Sequence, residues 1–215
     1  MQTIELYGKA HANMLGGEVA GDTFAIDFLS DTIKCALFTS SLTPNLDTDE
    51  VFSATNEVAG TGYSAGGATL GSKTITYTAA NSWGTAWAGT TAYAVGDIVR
   101  PTTGNGHLFR CVVAGTSHSA EPSWVTTPQR ETAEGSGAVR WVEVGRGMVQ
   151  IDSADISWAS STITARWGII YKSGGGDPLL ALIDFDGNVS TTNGTLLITL
   201  PVLGIWQSFA VHRGV

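Results

Sequence analysis

The sequence predicts an all-β protein: an antiparallel β-sandwich, jelly-roll or immunoglobulin-like, with a small β-rich domain inserted into it. Apolar and polar residues alternate with a period of two along most of the chain, and helical periodicity is nearly absent. The 215 residues include 27 glycines, and only 14% are charged, against roughly 25% in an average soluble domain. This composition excludes a helical bundle or coiled coil. Seven tryptophans and long β-branched runs argue against a disordered chain.

The candidate elements follow from this alternation. In 33–39, Ile33, Cys35 and Leu37 share one face, which is the pattern of a strand. The predicted strands are 33–39, 73–78, 163–171, 179–185, 195–200 and 205–211. The best helical candidate is a short segment at 11–15.

Turns are predicted where glycine, asparagine, aspartate and serine cluster. These segments are 60–67, 173–177, 186–188 and the pair Asn193-Gly194. The Asn-Gly pair is a strong hairpin signal, so we expect a tight turn there. Short strands with frequent turns favour a sandwich or barrel.

A change in composition marks a second module at 86–146. This segment carries five acidic and five basic residues, so the flanking segments account for the whole net charge of −8. Insertions are tolerated at exposed loop tips. We therefore predict a discontinuous sandwich domain, 1–85 plus 147–215, with an inserted domain at 86–146. The ends of the insert, 83–87 and 144–147, are expected to be adjacent.

Charge and cysteine content exclude several classes. A nucleic-acid binder needs a basic surface, and this chain has 19 acidic against 11 basic residues. The same charge disfavours anionic lipid, and apolar stretches such as 178–183 are too short to span a bilayer. We therefore expect no nucleic-acid partner and no membrane association. Cys35 and Cys111 are expected to be buried free thiols.

Several motifs are weak signals for chemistry. Gly62-Tyr63-Ser64-Ala65-Gly66 matches G-x-S-x-G, but glycines rather than a helix follow it, so a Gly-rich loop is the favoured interpretation. The segment 184–188 has part of a calcium-loop pattern without the distal glutamate, and a turn is favoured. Asp47, Asp49 and Glu50 are expected to form a solvated loop, and the alternative is weak calcium binding at a subunit contact.

The four histidines are far apart in the sequence. None lies at metal-ligand spacing from another, so we expect no metal site. No constellation of catalytic residues supports an enzyme either, so we expect no cofactor and no enzyme activity. The histidines are His11, His107, His118 and His212.

The outer domain resembles a group of tailed-bacteriophage virion proteins. The matching segments are DTIKCALFTSSLTPN at 31–45, GTGYSAGGATL at 60–70 and WASSTITAR at 158–166, with LIDF at 182–185 and NGT at 193–195. The resemblance implies a small all-β structural protein without catalysis. Members occur among both head and tail structural proteins.

The insert resembles a small β module of phage virion proteins and, more distantly, chitin-binding modules. The matching segments are AYAVGDIV at 92–99, LFRC at 108–111, AGTS at 114–117, EPSW at 121–124 and VRW at 139–141. Tyr93, Trp124 and Trp141 are the candidate glycan-contact residues, because sugar rings stack on aromatic faces. The alternative is that they fill the core of a small module.

Two functions follow as expectations from these resemblances. The first is a capsid decoration or cement protein that binds the major capsid protein on the outer surface of the virion as a homotrimer. It would be made in the host cytoplasm and would display the insert outward, with 1–30 and 206–215 reaching neighbouring subunits. The second is a tail-associated adhesin whose insert binds a host surface glycan.

Overall fold

A computed structural model describes residues 2–14, 24–127, 130–201 and 204–209. The chain is almost entirely β, with several antiparallel sheets in a sandwich-like arrangement, as the alternation predicted. It divides into two compact units: Met1–Ile75 with Ile151–Trp206, and Thr76–Gln150 with Gln207–Val215. The second unit thus begins before Ala86 and ends after Arg146, the limits expected from composition.

The first unit is built on a five-stranded sheet ordered β1-β13-β12-β2-β3. Its strands are β1 (Thr3–Leu6), β2 (Ile33–Phe38), β3 (Ala68–Thr69), β12 (Ile156–Lys172) and β13 (Leu179–Ile198). Helix α1 (Ala10–Met14) agrees with the expected helix at 11–15 as far as Met14, and Leu15 lies outside the described residues.

Strand β2 is a central strand with residues buried on both faces. It pairs antiparallel with β12, with Cys35 opposite Ile170 and Leu37 opposite Gly168. Ile33, Cys35, Ala36, Leu37 and Phe38 are all fully buried. Because both faces of β2 are covered, its apolar residues are not restricted to alternate positions.

Strands β12 and β13 form one long hairpin, which corrects two predicted turns. Asp186–Asn188 and Asn193-Gly194 lie inside β13 and do not end it. Each instead coincides with a β-bulge against β12, where Asp186 and Asn193 adopt positive φ angles of 62° and 46°. Asparagine and aspartate tolerate this backbone conformation, so a bulge and a hairpin turn share one sequence signal. The hairpin turn lies at 173–178, where three successive glycines have positive φ, as the glycine cluster predicted.

The second unit contains a four-stranded sheet ordered β6-β7-β10-β9 and a two-stranded sheet of β5 and β8. The four-stranded sheet consists of β6 (Ile98–Val99), β7 (Leu108–Val113), β9 (Glu131–Ala133) and β10 (Arg140–Gly145). The pair consists of β5 (Ala92–Tyr93) and β8 (Gly115–Thr116).

A three-stranded sheet, ordered β14-β11-β4, includes the ends of the second unit. It contains β4 (Thr74–Ala79), β11 (Gly147–Asp152) and β14 (Trp206–Phe209), and a 3₁₀ turn (Ala80–Ser82) follows β4. The Ala80 N–H donates to the Arg146 carbonyl over 2.9 Å. The chain therefore enters and leaves the module side by side, a few residues before the expected position at 83–87.

Each unit has its own hydrophobic core. Core residues of the first unit come from β2, β12, β13 and the segments that cover them, and those of the second unit all lie between Trp87 and Trp141. No residue belongs to both clusters among the described positions.

Candidate functional site

The three candidate glycan-contact residues lie together in the core of the second unit. The ring centres of Tyr93 and Trp141 are 4.9 Å apart, and those of Trp124 and Trp141 are 5.8 Å apart, both edge to face. Trp141 is fully buried and Tyr93 is 9% exposed, whereas Trp124 is half-buried. Trp141 and Tyr93 thus fill the core and offer no ring face to a sugar, which corrects the expectation of glycan contact at these two residues.

Glu134 holds this aromatic cluster together, and sequence reasoning counted it only as a charge. Its Oε1 accepts the indole N–H of Trp87 over 2.7 Å and also that of Trp141, and its Oε2 accepts the His118 backbone N–H over 2.8 Å. The side chain is 1% exposed. A buried carboxylate can only accept hydrogen bonds, and these three N–H donors supply the partners that Glu134 needs. No local spacing predicts this contact, because its partners lie up to 47 residues away.

Trp124 alone of the three borders an open groove. This groove has a volume of about 390 Å³, and Trp124, Glu121, Pro101 and Asn105 are among its walls. The Trp124 ring lies 4.3 Å from Phe109, and its indole N–H donates to Glu121 Oε1 over 2.8 Å. The groove therefore offers a partly exposed aromatic ring beside a fixed carboxylate, a combination that suits a polar ring ligand.

Glu121 is fixed by two residues. Its carboxylate accepts the Thr102 backbone N–H over 2.8 Å, the Thr102 hydroxyl and the Trp124 indole. Burial acts to raise the pKa of the Glu121 carboxyl, but these hydrogen bonds outweigh it and hold the pKa below its usual value.

The segment that matches G-x-S-x-G packs as a loop against the first unit's sheet. It leads into strand β3 and not into a helix, so Ser64 does not stand on a strand-to-helix elbow. The Tyr63 hydroxyl donates to Glu57 Oε1 over 2.6 Å and accepts the Leu37 N–H over 3.0 Å. The Gly66 N–H donates to the same glutamate oxygen over 2.6 Å. Burial raises the pKa of the Tyr63 hydroxyl, which keeps it protonated as this donor.

The acidic motifs are engaged in local structure. Asp184, the first residue of the calcium-like pattern, pairs with Arg166. The pattern lies along β13 and is therefore not the turn we favoured. In the second acidic segment, Asp49 accepts the Asn45 N–H over 2.8 Å, and Glu50 pairs with Lys9.

The three described histidines contact different partners. The His11 ring meets Trp206 edge to face at 4.8 Å, His107 Nδ1 lies 3.0 Å from Glu143 Oε1, and the Ala120 N–H donates to His118 Nδ1. His212 lies outside the described residues. Within the described ranges, no three histidine, cysteine, aspartate or glutamate side chains are grouped to hold a metal ion.

Both cysteines are free and buried, as expected. Burial raises the pKa of the Cys35 thiol to about 12 and also raises that of Cys111. In the part of the chain that is described, no helix has the length and apolar character needed to cross a membrane.

The outer face of the β12–β13 hairpin is a second candidate surface. Beyond the region where β1 and β2 pair, the hairpin continues as two strands with an exposed face rich in hydroxyl groups, and Asp186 is exposed at the end of this region nearest β1. The residues that we call the hydroxyl face are exposed and uncharged: Ser157, Thr162, Thr164, Ser190, Thr192, Thr195 and Leu197. The hydroxyl groups of Thr164 and Ser190 lie 2.8 Å apart across the strands.

The fold and these surfaces define an all-β protein that carries an open groove beside Trp124 and a hydroxyl-rich sheet face. Comparisons with protein families, with curated proteins and with solved structures gave no match.

Proposed function

We propose that the protein is a non-enzymatic structural component of a tailed-bacteriophage virion, a decoration or cement protein on the outer surface of the capsid. One observation carries this proposal. Three segments resemble phage virion proteins and are far apart in the sequence, and one of them, 60–70, packs against both of the others, 31–45 and 158–166, in the first unit.

The contacts between these segments are close. Strand β2, in segment 31–45, pairs antiparallel with β3, in segment 60–70, and places Cys35 opposite Ala68. Thr61 forms a β-bridge with Thr162. A Cβ built on Gly67 would lie 1.9 Å from the Cys35 carbonyl oxygen, so the loop touches the β2 backbone. The segments that carry the resemblance are thus joined in one part of the fold. This supports a common fold for the first unit and the virion proteins that it resembles.

The hydroxyl face is the surface we assign to the major capsid protein. The residues of the hydroxyl face carry no charge, so they can approach another protein without the large free-energy cost of desolvating an ionised group. Elsewhere on the surface of this chain, which has a net charge of −8, burial against a partner would require ionised groups to be desolvated. Interface area buried across capsomer boundaries adds free energy that resists the pressure of the packaged genome. We assign the homotrimer to the shell-bound protein: three copies bound around a local threefold axis would match the symmetry of the shell, and this arrangement is separate from any contact in the free protein.

Binding to particles that lack the protein tests this assignment. Purified protein added to capsids from a phage with the gene deleted should coat the heads, and occupancy can be read from the band on a gel of sedimented particles. Thr164→Lys and Thr192→Lys place a charge on the hydroxyl face and should reduce occupancy at least tenfold. Thr55→Lys, at an exposed loop residue, is the matched control and should bind like wild type. Equal binding of all three variants would refute the assignment of this face.

A second candidate function is a tail-associated adhesin that binds a host surface polysaccharide through the Trp124 groove. The half-buried Trp124 ring beside Glu121 favours it. A glycan array with the intact chain should give a signal that Trp124→Ala abolishes while Val95→Ala, at an exposed residue of the same unit, leaves it unchanged. No signal at millimolar ligand would count against this function.

A further inference from the structure

Strand β4 is an edge strand without the usual protection against pairing. Within the described residues it pairs on one side only, with β11. Its sequence, TITYTA, has no charge and no proline, and five of its six residues are exposed. Natural proteins protect such edges with lysine, proline or a bulge, because a free β edge recruits another strand.

The backbone groups that point away from β11 can be identified. The Ala80 N–H donates to Arg146, and the Thr78 carbonyl lies against Gly147, where an added Cβ would sit 2.7 Å from that oxygen. Backbone direction alternates along a strand. Tyr77 and Ala79 therefore direct their N–H and C=O groups outward.

Tyr77 adds an exposed aromatic surface to this edge. A Cβ on Gly147 would lie 2.7 Å from Tyr77 Cε2, so one part of the ring rests on the glycine backbone. The rest is open, and the residue is 59% exposed. An aromatic ring held over a glycine is ordered before any partner arrives, which lowers the entropy cost of burying it.

We propose that β4 pairs antiparallel with β4 of a second copy of this chain across a twofold axis. Outward-facing residues must pair with outward-facing residues, and the register that pairs all three of them, Ile75, Tyr77 and Ala79, places Tyr77 opposite Tyr77 and Thr76 opposite Thr78. Aromatic pairs and threonine pairs are both favourable across strands.

Charge at this edge is compatible with a second copy. Two copies with a net charge of −8 each repel over most of their surfaces. An uncharged strand is a place where they can approach without that repulsion, and a twofold contact brings the same uncharged strand from each side. This contact goes beyond the proposed function. It joins two copies of the chain through β4 and does not depend on which surface binds the capsid.

Disulfide trapping tests the contact and its register. Residues in a hydrogen-bonded antiparallel pair have Cα atoms about 5.5 Å apart, within the roughly 4.4 to 6.8 Å that a disulfide spans. Tyr77→Cys should therefore give a covalent dimer in oxidising buffer. Val95→Cys, at a position 66% exposed, should not. The native cysteines are both buried, so they do not compete.

The register makes a second prediction. Thr76→Cys alone and Thr78→Cys alone should cross-link poorly, and an equimolar mixture of the two should form a covalent dimer. Cross-linking no faster in the mixture than in the separate variants would overturn the register.

A proline variant separates backbone pairing from side-chain contact. Ala79 has a φ of −65°, which is the angle that proline imposes. Ala79→Pro thus removes an outward N–H and leaves the subunit's own strand geometry intact. We expect wild type and Ala79→Val to sediment as dimers and Ala79→Pro as a monomer with an unchanged circular dichroism spectrum. A monomeric wild type, or a dimer that survives Ala79→Pro, would overturn the proposal.

Discussion

The indole N–H of Trp141 donates to the carboxylate of Glu134, and neither side chain reaches solvent. The same oxygen accepts the indole of Trp87, so one glutamate joins β10 to the start of the module. The aromatic cluster of the second unit is thus organised around a polar centre.

Glu134→Gln should destabilise the protein. The amide leaves one acceptor oxygen and places an NH₂ group against N–H donors, so buried donors lose their partners. We expect the free energy of unfolding to fall by about 2 kcal/mol or more, measured by urea denaturation. Glu131→Gln is the control. Glu131 is exposed and forms a surface ion pair with Arg140 at 3.6 Å, so we expect its substitution to change the free energy of unfolding by about 0.5 kcal/mol. Equal effects of the two substitutions would refute the role assigned to Glu134.

Glu121 should make the stability depend on pH in the acidic range. Its hydrogen bonds lower its pKa in the folded protein below the usual 4.5, so the unfolded chain binds the proton more tightly. The contribution of the carboxylate is fully present above pH 4.5 and is lost as pH falls through the folded-state pKa. Wild type should exceed Glu121→Gln in stability by up to about 1 kcal/mol at pH 7. A difference that stays constant or grows on acidification would contradict this.

Gly67 should not tolerate a side chain. It has a φ of +75°, and an added Cβ would overlap the Cys35 carbonyl. Gly67→Ala should cost about 3 kcal/mol, because it combines an unfavourable backbone conformation with a clash against a central strand. Gly71 has open space around it, so Gly71→Ala should be nearly neutral. Thermal unfolding of both variants checks the difference, and similar melting temperatures would show that the loop does not lie against β2.

Removal of the module should leave the first unit folded. The two hydrophobic clusters share no described residue, and Ala80 and Arg146 are hydrogen-bonded neighbours. We expect a chain in which a short glycine linker replaces 81–145 to unfold cooperatively and to give dispersed amide signals by NMR. A collapsed spectrum would mean that the first unit depends on the module.

The fold class was predictable because period-two alternation is a local property of the sequence. Alternation of this kind identified β2, β4 and the second half of β12. It could not show that Asp186 and Asn193 form bulges within one long strand, because a positive φ serves a turn and a bulge equally well.

Burial of the aromatic residues was not predictable for a related reason. Whether Trp141 packs inward depends on Glu134 and Trp87, which approach only in the folded chain. The edge position of β4 likewise depends on which strands lie beside it, and the sequence of TITYTA does not contain that information.

Localisation on intact particles tests the central claim most directly. A gold-labelled antibody against residues 86–146 can be imaged on purified virions by electron microscopy. A capsid decoration protein predicts label distributed over the head. Label confined to the tail or its tip would contradict it, and would make host-surface recognition through the Trp124 groove the account to pursue.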